Sequence, residues 1–455
     1  MFDEPALRMI DNLDEARGFL LRDRRLEDTA LPPHVREGVR AVFGTDLTAP
    51  EIVDRILADV REQGDQAVLH YTEALDGARL ERIEVAPEEF AQARSLVQPA
   101  VISALEAARE RIERFHRKQL RTSWVDFDET GTLGQLLRPL ERVGVYTPAG
   151  RAPYPSSLLM TAVPARVAGV DEIIVCAPPA RDGSLSPLIL VAAEIAGVDR
   201  VFKVGGAQAI AAMAYGTASV PRVDKILGPG NLFVVLAKRR VYGEVDIDQL
   251  PGPTETLLIA DDSASPQLCA ADLLAQAEHD PLASAVLITT SAELAAAVEE
   301  QIAEQLPTLE RADIARESLA NNGAIAVVPD LDSAFSLANG FAPEHLCLLV
   351  RDPWSHIHRV RHAGGIFVGE SSPEVLGDYA AGPSHVMPTG QTARFSSPVN
   401  VEEFLKIISI IGINDDGLRQ LGPTAAALAH AEGLTAHARA IERRLRPFPP
   451  RTQSR

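Results

Sequence analysis

Gln276 and His279, three residues apart, close a run of apolar and small residues, and further histidines and carboxylates follow in short motifs. Pro343-Glu344-His345, Gly377-Asp378-Tyr379, Gly382-Pro383-Ser384-His385 and Leu434-Thr435-Ala436-His437 carry donors for one divalent cation and one acid/base pair. A divalent metal beside a titratable imidazole and a spare carboxylate is equipment for making and breaking bonds. The combination points to a metalloenzyme. Ser265-Pro266 suits a helix start, with Ser as cap and Pro at the first helical position, so Gln276 and His279 fall on one face near the helix end. Taken alone, such a pair is more often a solvated helix end than a metal site. Asp378, in a Gly-rich loop, would add one anionic ligand, and His437 would stand in the first turn of a last helix capped by Thr435. Glu344 and His345 are the acid/base candidates. Consecutive strand residues face opposite sides, so both reach one pocket only from a turn before Leu346, which Pro343 favours. His34, His70, His116, His356 and His358 stand in charged segments and read as surface groups.

The elements that must position these groups read as α/β. The first 135 or so residues are charged and helical in period, with Ile52, Ile56, Val60, Ala67 and Tyr71 on one stripe and a break at Gly64. From Arg142 short β-rich runs begin, at 143–146, 172–176, 201–204 and 225–227, separated by helical segments. A second series follows at 256–259, 285–288, 324–328, 345–350 and 365–368. Such alternation implies parallel sheets covered by helices. We expect two Rossmann-like parallel-sheet domains with helical N-terminal and C-terminal extensions. The expected boundaries are an N-terminal helical arm at 1–50, a first α/β domain at 51–140 plus 252–380, a second at 141–251, and a C-terminal helical arm at 381–455. From Val401 to Arg446 the chain reads as helical throughout.

Bulk properties narrow the function classes. Lys+Arg 44 against Asp+Glu 63 leaves a net charge of −19, which repels phosphate backbones and anionic membranes, so neither nucleic acid nor a membrane is an expected partner. Cys176, Cys269 and Cys347 are odd in number and lie in apolar runs, as expected of core residues in a reduced, cytoplasmic protein. No signal peptide or membrane span is read. There is no G-x-G-x-x-G; the Gly-rich turns are Val204-Gly205-Gly206-Ala207-Gln208 and Gly228-Pro229-Gly230-Asn231, each after a strand. The second opens a helix, where backbone N–H groups can accept an anion.

Eight collinear segments resemble the histidinol dehydrogenase family: Val143 to Met160, Val204 to Gly216, Val223 to Asn231, Gly252 to Glu255, Asp272 to Asp280, Ala342 to Leu346, Gly377 to Gly390 and Glu432 to His437. The similarity runs from about Ile52 to Arg446. It implies a cytosolic homodimer with shared active sites, one Zn2+ per subunit and a C-terminal dimerisation arm. The implied reaction is a four-electron oxidation of L-histidinol through L-histidinal to L-histidine, reducing two NAD+ at the end of histidine synthesis. By motif, the zinc ligands would be Gln276, His279, Asp378 and His437, the last resembling a ligand taken from the partner subunit. Tyr146, Gln208 and Asn231 match NAD contacts. Thr254, His385 and Glu432 match positions that hold substrate, together with the zinc ligands and the catalytic pair Glu344 and His345. In that scheme His345 is the base for both hydride transfers, since imidazole titrates near neutrality. Glu344 activates water against the aldehyde, and the metal orients the substrate. Gln249, Leu250, Pro251 and Ser384 depart from the usual family pattern without touching a matched ligand.

Three alternatives stay open on sequence. One is a related dehydrogenase acting on an alcohol without imidazole, disfavoured by Glu432 and His437. The others are a zinc hydrolase using Glu344, which would yield no NADH with histidinol, and a zinc-stabilised scaffold.

Overall fold

Runs of Val, Ile and Leu too short for buried helices form the strands of two parallel sheets. The computed structural model describes residues 7–22, 33–148 and 153–446. In chain order the strands are β1 (Arg8–Ile10), β2 (Trp124–Asp128), β3 (Gly131–Pro139), β4 (Arg142–Tyr146), β5 (Glu172–Ala177), β6 (Arg200–Lys203) and β7 (Lys225–Leu227). They continue with β8 (Asp246–Ile247), β9 (Glu255–Ala260), β10 (Ser284–Thr289), β11 (Ala324–Val327), β12 (His345–Leu349), β13 (Gly365–Val368) and β14 (Leu405–Ile413).

The chain divides into two units. The first, residues 7–119 and 140–404 among those described, holds both parallel sheets. One has the order β6-β5-β4-β7-β8, a doubly wound arrangement whose direction of winding reverses between β4 and β7. The other, β1-β11-β10-β9-β12-β13, repeats that order from β9 with β1 added at one edge, and reverses between β9 and β12. All nine strands expected from the apolar runs are present, and the two-sheet α/β class holds. Every residue of β9, β10 and β12 is buried, which is why these strands read as continuous apolar runs and not as alternation.

Helices Ala49–Gln63 and Asp65–Tyr71 break at Gly64, whose φ of 57° favours glycine. Ile52, Ile56, Val60 and Tyr71 enter one core with Tyr146, Phe202 and Ile226 of the five-stranded sheet. The helical reading of His116 as a surface group is corrected. Its ring is buried, with Nδ1 2.8 Å from Gln119 Oε1, because it falls on the apolar face that also carries Leu105 and Ile112.

The second unit, residues 120–139 and 405–446 among those described, is an antiparallel sheet β14-β3-β2 with helices Asp415–Ala431 and Thr435–Leu445. This corrects the expectation of unbroken helix after Val401 and of helix throughout the lead-in. Leu405–Ile413 is rich in isoleucine, which loses rotamer freedom in a helix and suits a pleated surface, and its residues pair with Gly131–Pro139. Thr435 is the first residue within the last helix and Leu434 its cap, so His437 does stand in the first turn. Among the described residues no helix is long and apolar enough to cross a membrane.

One acidic side chain in the first unit is held almost wholly out of water. Glu374 opens the short helix Glu374–Tyr379, is 2% exposed, and accepts a hydrogen bond from the Thr256 hydroxyl of β9. Burial pushes its pKa up to about 8, against the smaller opposing pulls of His345 and Thr256. The folded state then holds this proton more tightly than the unfolded chain. Its stabilising effect is complete below the ordinary 4.5 and is lost as pH rises through about 8. Glu374→Gln, which mimics the neutral acid, is expected to flatten the fall in melting temperature between about pH 5 and 8. Parallel wild-type and variant curves would contradict this.

Candidate active site

The reversal point between β9 and β12 gathers the polar residues at the amino ends of these strands. Gln276 lies in the last turn of helix Pro266–Ala277 and is 2% exposed. Its Nε2 donates to Thr254 Oγ1 at 2.8 Å, and the Thr254 hydroxyl donates to Glu344 Oε2 at 2.6 Å. The Glu255 N–H donates to the same carboxylate oxygen at 3.0 Å. With its NH2 engaged, the Gln276 amide has its oxygen left for another partner. Glu344 is buried, and burial pushes its pKa up to about 8, aided by the negative charge of Asp378 and opposed by the bonds from Thr254 and Glu255.

His345 is the first residue of β12 and is paired in register with Thr256. The expected turn ahead of Leu346 holds Glu344 but not His345: Ala342 is left-handed with φ 52°, and the strand already starts at His345. Glu344 and His345 still come together, with Glu344 Oε2 3.8 Å from His345 Nδ1. That Nδ1 lies 3.2 Å from the Glu255 carbonyl, which can only accept, so Nδ1 carries a proton and Nε2 is the nitrogen that can act as a base. Nε2 is buried, has no hydrogen-bond partner among the described residues, and lies 3.9 Å from Asp378 Oδ1.

Asp378, on helix Glu374–Tyr379, is shared. Its Oδ1 is also 3.9 Å from His385 Nδ1, and its backbone carbonyl accepts from that nitrogen at 2.7 Å. His385 Nε2 then accepts from Ser157 Oγ at 3.0 Å, and burial lowers the pKa of this histidine. His279 and Asp378 line one pocket of about 450 Å³, walled by apolar residues of Pro99–His116 and Pro155–Ala168 and by Tyr154 and Arg311. The His279 ring is open on that pocket, yet the surrounding protein displaces enough water to lower its pKa, an effect Asp378 opposes.

The residues matched to nicotinamide-nucleotide contacts gather at the carboxyl ends of the five-stranded sheet. Tyr146 ends β4, is buried, and accepts the Gly206 N–H on its hydroxyl at 3.1 Å. Gln208 is fully buried in the first turn of Gly206–Tyr215, with Nε2 3.4 Å from Asp76 and Oε1 without a partner among the described residues. Asn231 caps helix Leu232–Val241, its side-chain oxygen accepting the N–H groups of Phe233 and Val234. The expectation that this helix start offers free N–H groups is thus partly corrected: Asn231 takes two of them itself.

Among the described residues no three His, Cys, Asp or Glu side chains gather into a metal cluster. Of the expected donors, Gln276, His279 and Asp378 belong to the first unit. Glu432 and His437 belong to the second, Glu432 following helix Asp415–Ala431 and His437 opening the last helix. Sequence reasoning missed Glu374, which lies near a long Gly/Pro/Ser-rich stretch, and Ser157, inside a motif otherwise read whole. It also missed Lys238, whose charge was hidden in the run Lys238-Arg239-Arg240.

Comparison with known proteins gives this geometry a context. Residues 44–445 match the histidinol dehydrogenase family. The histidinol dehydrogenase of Deinococcus radiodurans is 55% identical over 434 residues, covering 95% of this chain and 98% of that protein. That of Moorella thermoacetica is 56% identical over 395 residues, 86% of this chain and 93% of the relative. The crystal structure of histidinol dehydrogenase from Elizabethkingia anophelis aligns with a TM-score of 0.89 at 33% identity, over 98% of this chain and 99% of that one. With the family matched over most of its length and half its residues shared with members along nearly their whole sequences, the chain belongs to the histidinol dehydrogenase family.

Proposed function

We propose that this protein oxidises L-histidinol through L-histidinal to L-histidine with zinc and two NAD+, as a cytoplasmic homodimer whose subunits share active sites. The observation that carries this reading is the buried, unpartnered Nε2 of His345, facing Asp378 with the buried Glu344 beside it. An imidazole whose Nδ1 donates to a carbonyl has its Nε2 left to serve as a base, and an acid pushed up to about 8 can exchange a proton near neutrality.

The donor set fits a zinc site. Gln276 through its free amide oxygen, His279 and Asp378 would hold the ion, with His437 of the partner subunit as the fourth ligand. One carboxylate among neutral donors leaves a net positive charge of about one. When bound, zinc supplies that charge to orient the imidazole and amine of histidinol, and NAD supplies the hydride acceptor. His345 Nε2 takes the alcohol proton as the carbon loses hydride, giving the aldehyde. Glu344 in its ionised form takes a proton from water as the oxygen adds to the aldehyde carbon, while His345 gives the proton it took to the carbonyl oxygen, so that a geminal diol results. His345, having released its first proton, takes one from the diol as the second hydride leaves, and the acid results. Thr254 orients Glu344 throughout, while Ser157 and the Asp378 carbonyl hold the His385 ring in place. Tyr146, Gln208 and Asn231 are the proposed NAD contacts, and Glu432 of the partner subunit a further substrate contact.

The dimer is supported by the second unit's surface. Leu133 and Ile411 sit opposite one another in the sheet, 48% and 74% exposed, with Phe127 on the neighbouring strand 75% exposed and Leu428 of helix Asp415–Ala431 61% exposed. Apolar exposure of that kind marks a surface that another protein covers.

Zinc content and histidinol-dependent NADH absorbance on one purified sample test the core reading, and either one missing rejects it. Glu344→Gln should still make the aldehyde but slow its hydration and onward oxidation by ~10²–10⁴-fold, so that early turnover yields one NADH per histidinol in place of two. Undiminished second-step turnover would remove Glu344 from the mechanism. His345→Ala and His437→Ala should each be inactive alone, yet regain activity when unfolded together and refolded as mixed dimers, since one of the two sites is then intact. No recovery would argue for sites contained within single chains.

A further inference from the structure

We propose that Lys238 and Asp248 are positioning residues for the cofactor, forming a buried ion pair whose work is to fix the Gly228–Asn231 turn. This rests on the reading of Tyr146 and Asn231 as NAD contacts.

Lys238 lies two turns along the helix that Asn231 caps, and its side chain is 0% exposed, while that of Asp248 is 2% exposed. The ammonium pairs with Asp248 Oδ1 and donates to the Gly228 carbonyl at 3.0 Å. Asp248 Oδ2 accepts the Gly228 N–H at 2.7 Å, and Oδ1 the Gln249 N–H at 2.6 Å. Both backbone groups of one glycine are therefore held by the two ends of one salt bridge. Gly228 has φ 107°, and a Cβ there would fall 2.2 Å from the Tyr146 carbonyl oxygen. The turn is thus pressed against the last residue of β4 on one side and clamped from beneath on the other.

The mutual attraction of the two charges is little reason by itself for this arrangement. A buried ion pair can often be exchanged for apolar side chains of similar volume at little or no cost, because desolvation consumes most of the attraction. What apolar residues cannot supply is two directed hydrogen bonds to the backbone of Gly228, three residues before Asn231. Since Lys238 is fully enclosed, it does not touch a ligand. It acts through the turn.

The test uses the full-length zinc-loaded protein. Lys238→Met/Asp248→Leu removes both charges together, so neither is left buried and unpaired. It is expected to fold, with KM for NAD raised about tenfold or more and KM for histidinol changed less than about twofold. Asp248→Asn keeps the volume and an acceptor for Gly228, and is expected to raise the NAD KM by about two- to fivefold, so it decides the matter if the double variant does not fold. An unchanged NAD KM in a folded variant, or equal rises for both substrates, overturns the proposal. Asn231→Ala separates the two levels of inference. If it leaves the NAD KM unchanged, the cofactor reading of the turn has failed; if it raises that KM while the clamp variants do not, only the clamp has failed.

Discussion

Strands β9 and β12 run parallel with Thr256 opposite His345, and this single register sets what can happen at their amino ends. Thr254 and Glu255, just before and at the start of β9, and Glu344, just before β12, must then meet. Their hydrogen bonds give a buried carboxyl group the partners without which its burial would cost ~1–3 kcal/mol or more. The same register brings the Glu255 carbonyl to His345 Nδ1 and so selects the tautomer of the imidazole. A slip of one residue would turn the Glu255 side chain toward Glu344, leaving two carboxylates face to face. Precision here comes from the sheet, which packs Leu258 and Cys347 into one core and Leu257 and Leu346 into another, so that a slip would misfit both.

Ligands of doubly wound sheets usually lie beyond the carboxyl ends of the strands, at the point where the winding reverses. The five-stranded sheet follows that habit, with Tyr146 ending β4 and the Gly228 turn following β7. The six-stranded sheet does the opposite, presenting Thr254, Glu344 and His345 at the amino ends of β9 and β12. In the proposed reaction the two sheets divide the labour accordingly, one holding the nucleotide and the other carrying the proton chemistry.

How much of this could be read beforehand depended on whether a residue's signal was local. The strands at 143–146 and 345–349 were legible because fully buried parallel strands are short apolar runs, and Gly64 announced its helix break. Strand β14 was not legible, since the doublets Ile407-Ile408 and Ile410-Ile411 spoil the two-residue alternation and the flanking segments are helical in period. Its partner β3 is far away in sequence, and no local pattern can report a distant pairing. At the site, the juxtaposition of Glu344 and His345 could be posed as a condition on a turn, which the chain meets for Glu344 but not for His345, already in the strand. Glu374 and Lys238 escaped because their meaning lies in burial, which a charged letter in a mixed segment does not reveal.

The second unit draws its sheet from two distant stretches of the chain. More than half the chain separates β3 from β14, yet the two pair along nine positions. During synthesis the hairpin of β2 and β3 leaves the ribosome with one ladder of amide and carbonyl groups unmatched, and it stays so until β14 is translated. A nascent chain of this design carries a sticky margin for most of its elongation, so chaperone occupancy at that hairpin, more than the thermodynamics of the finished fold, should govern its yield in a cell.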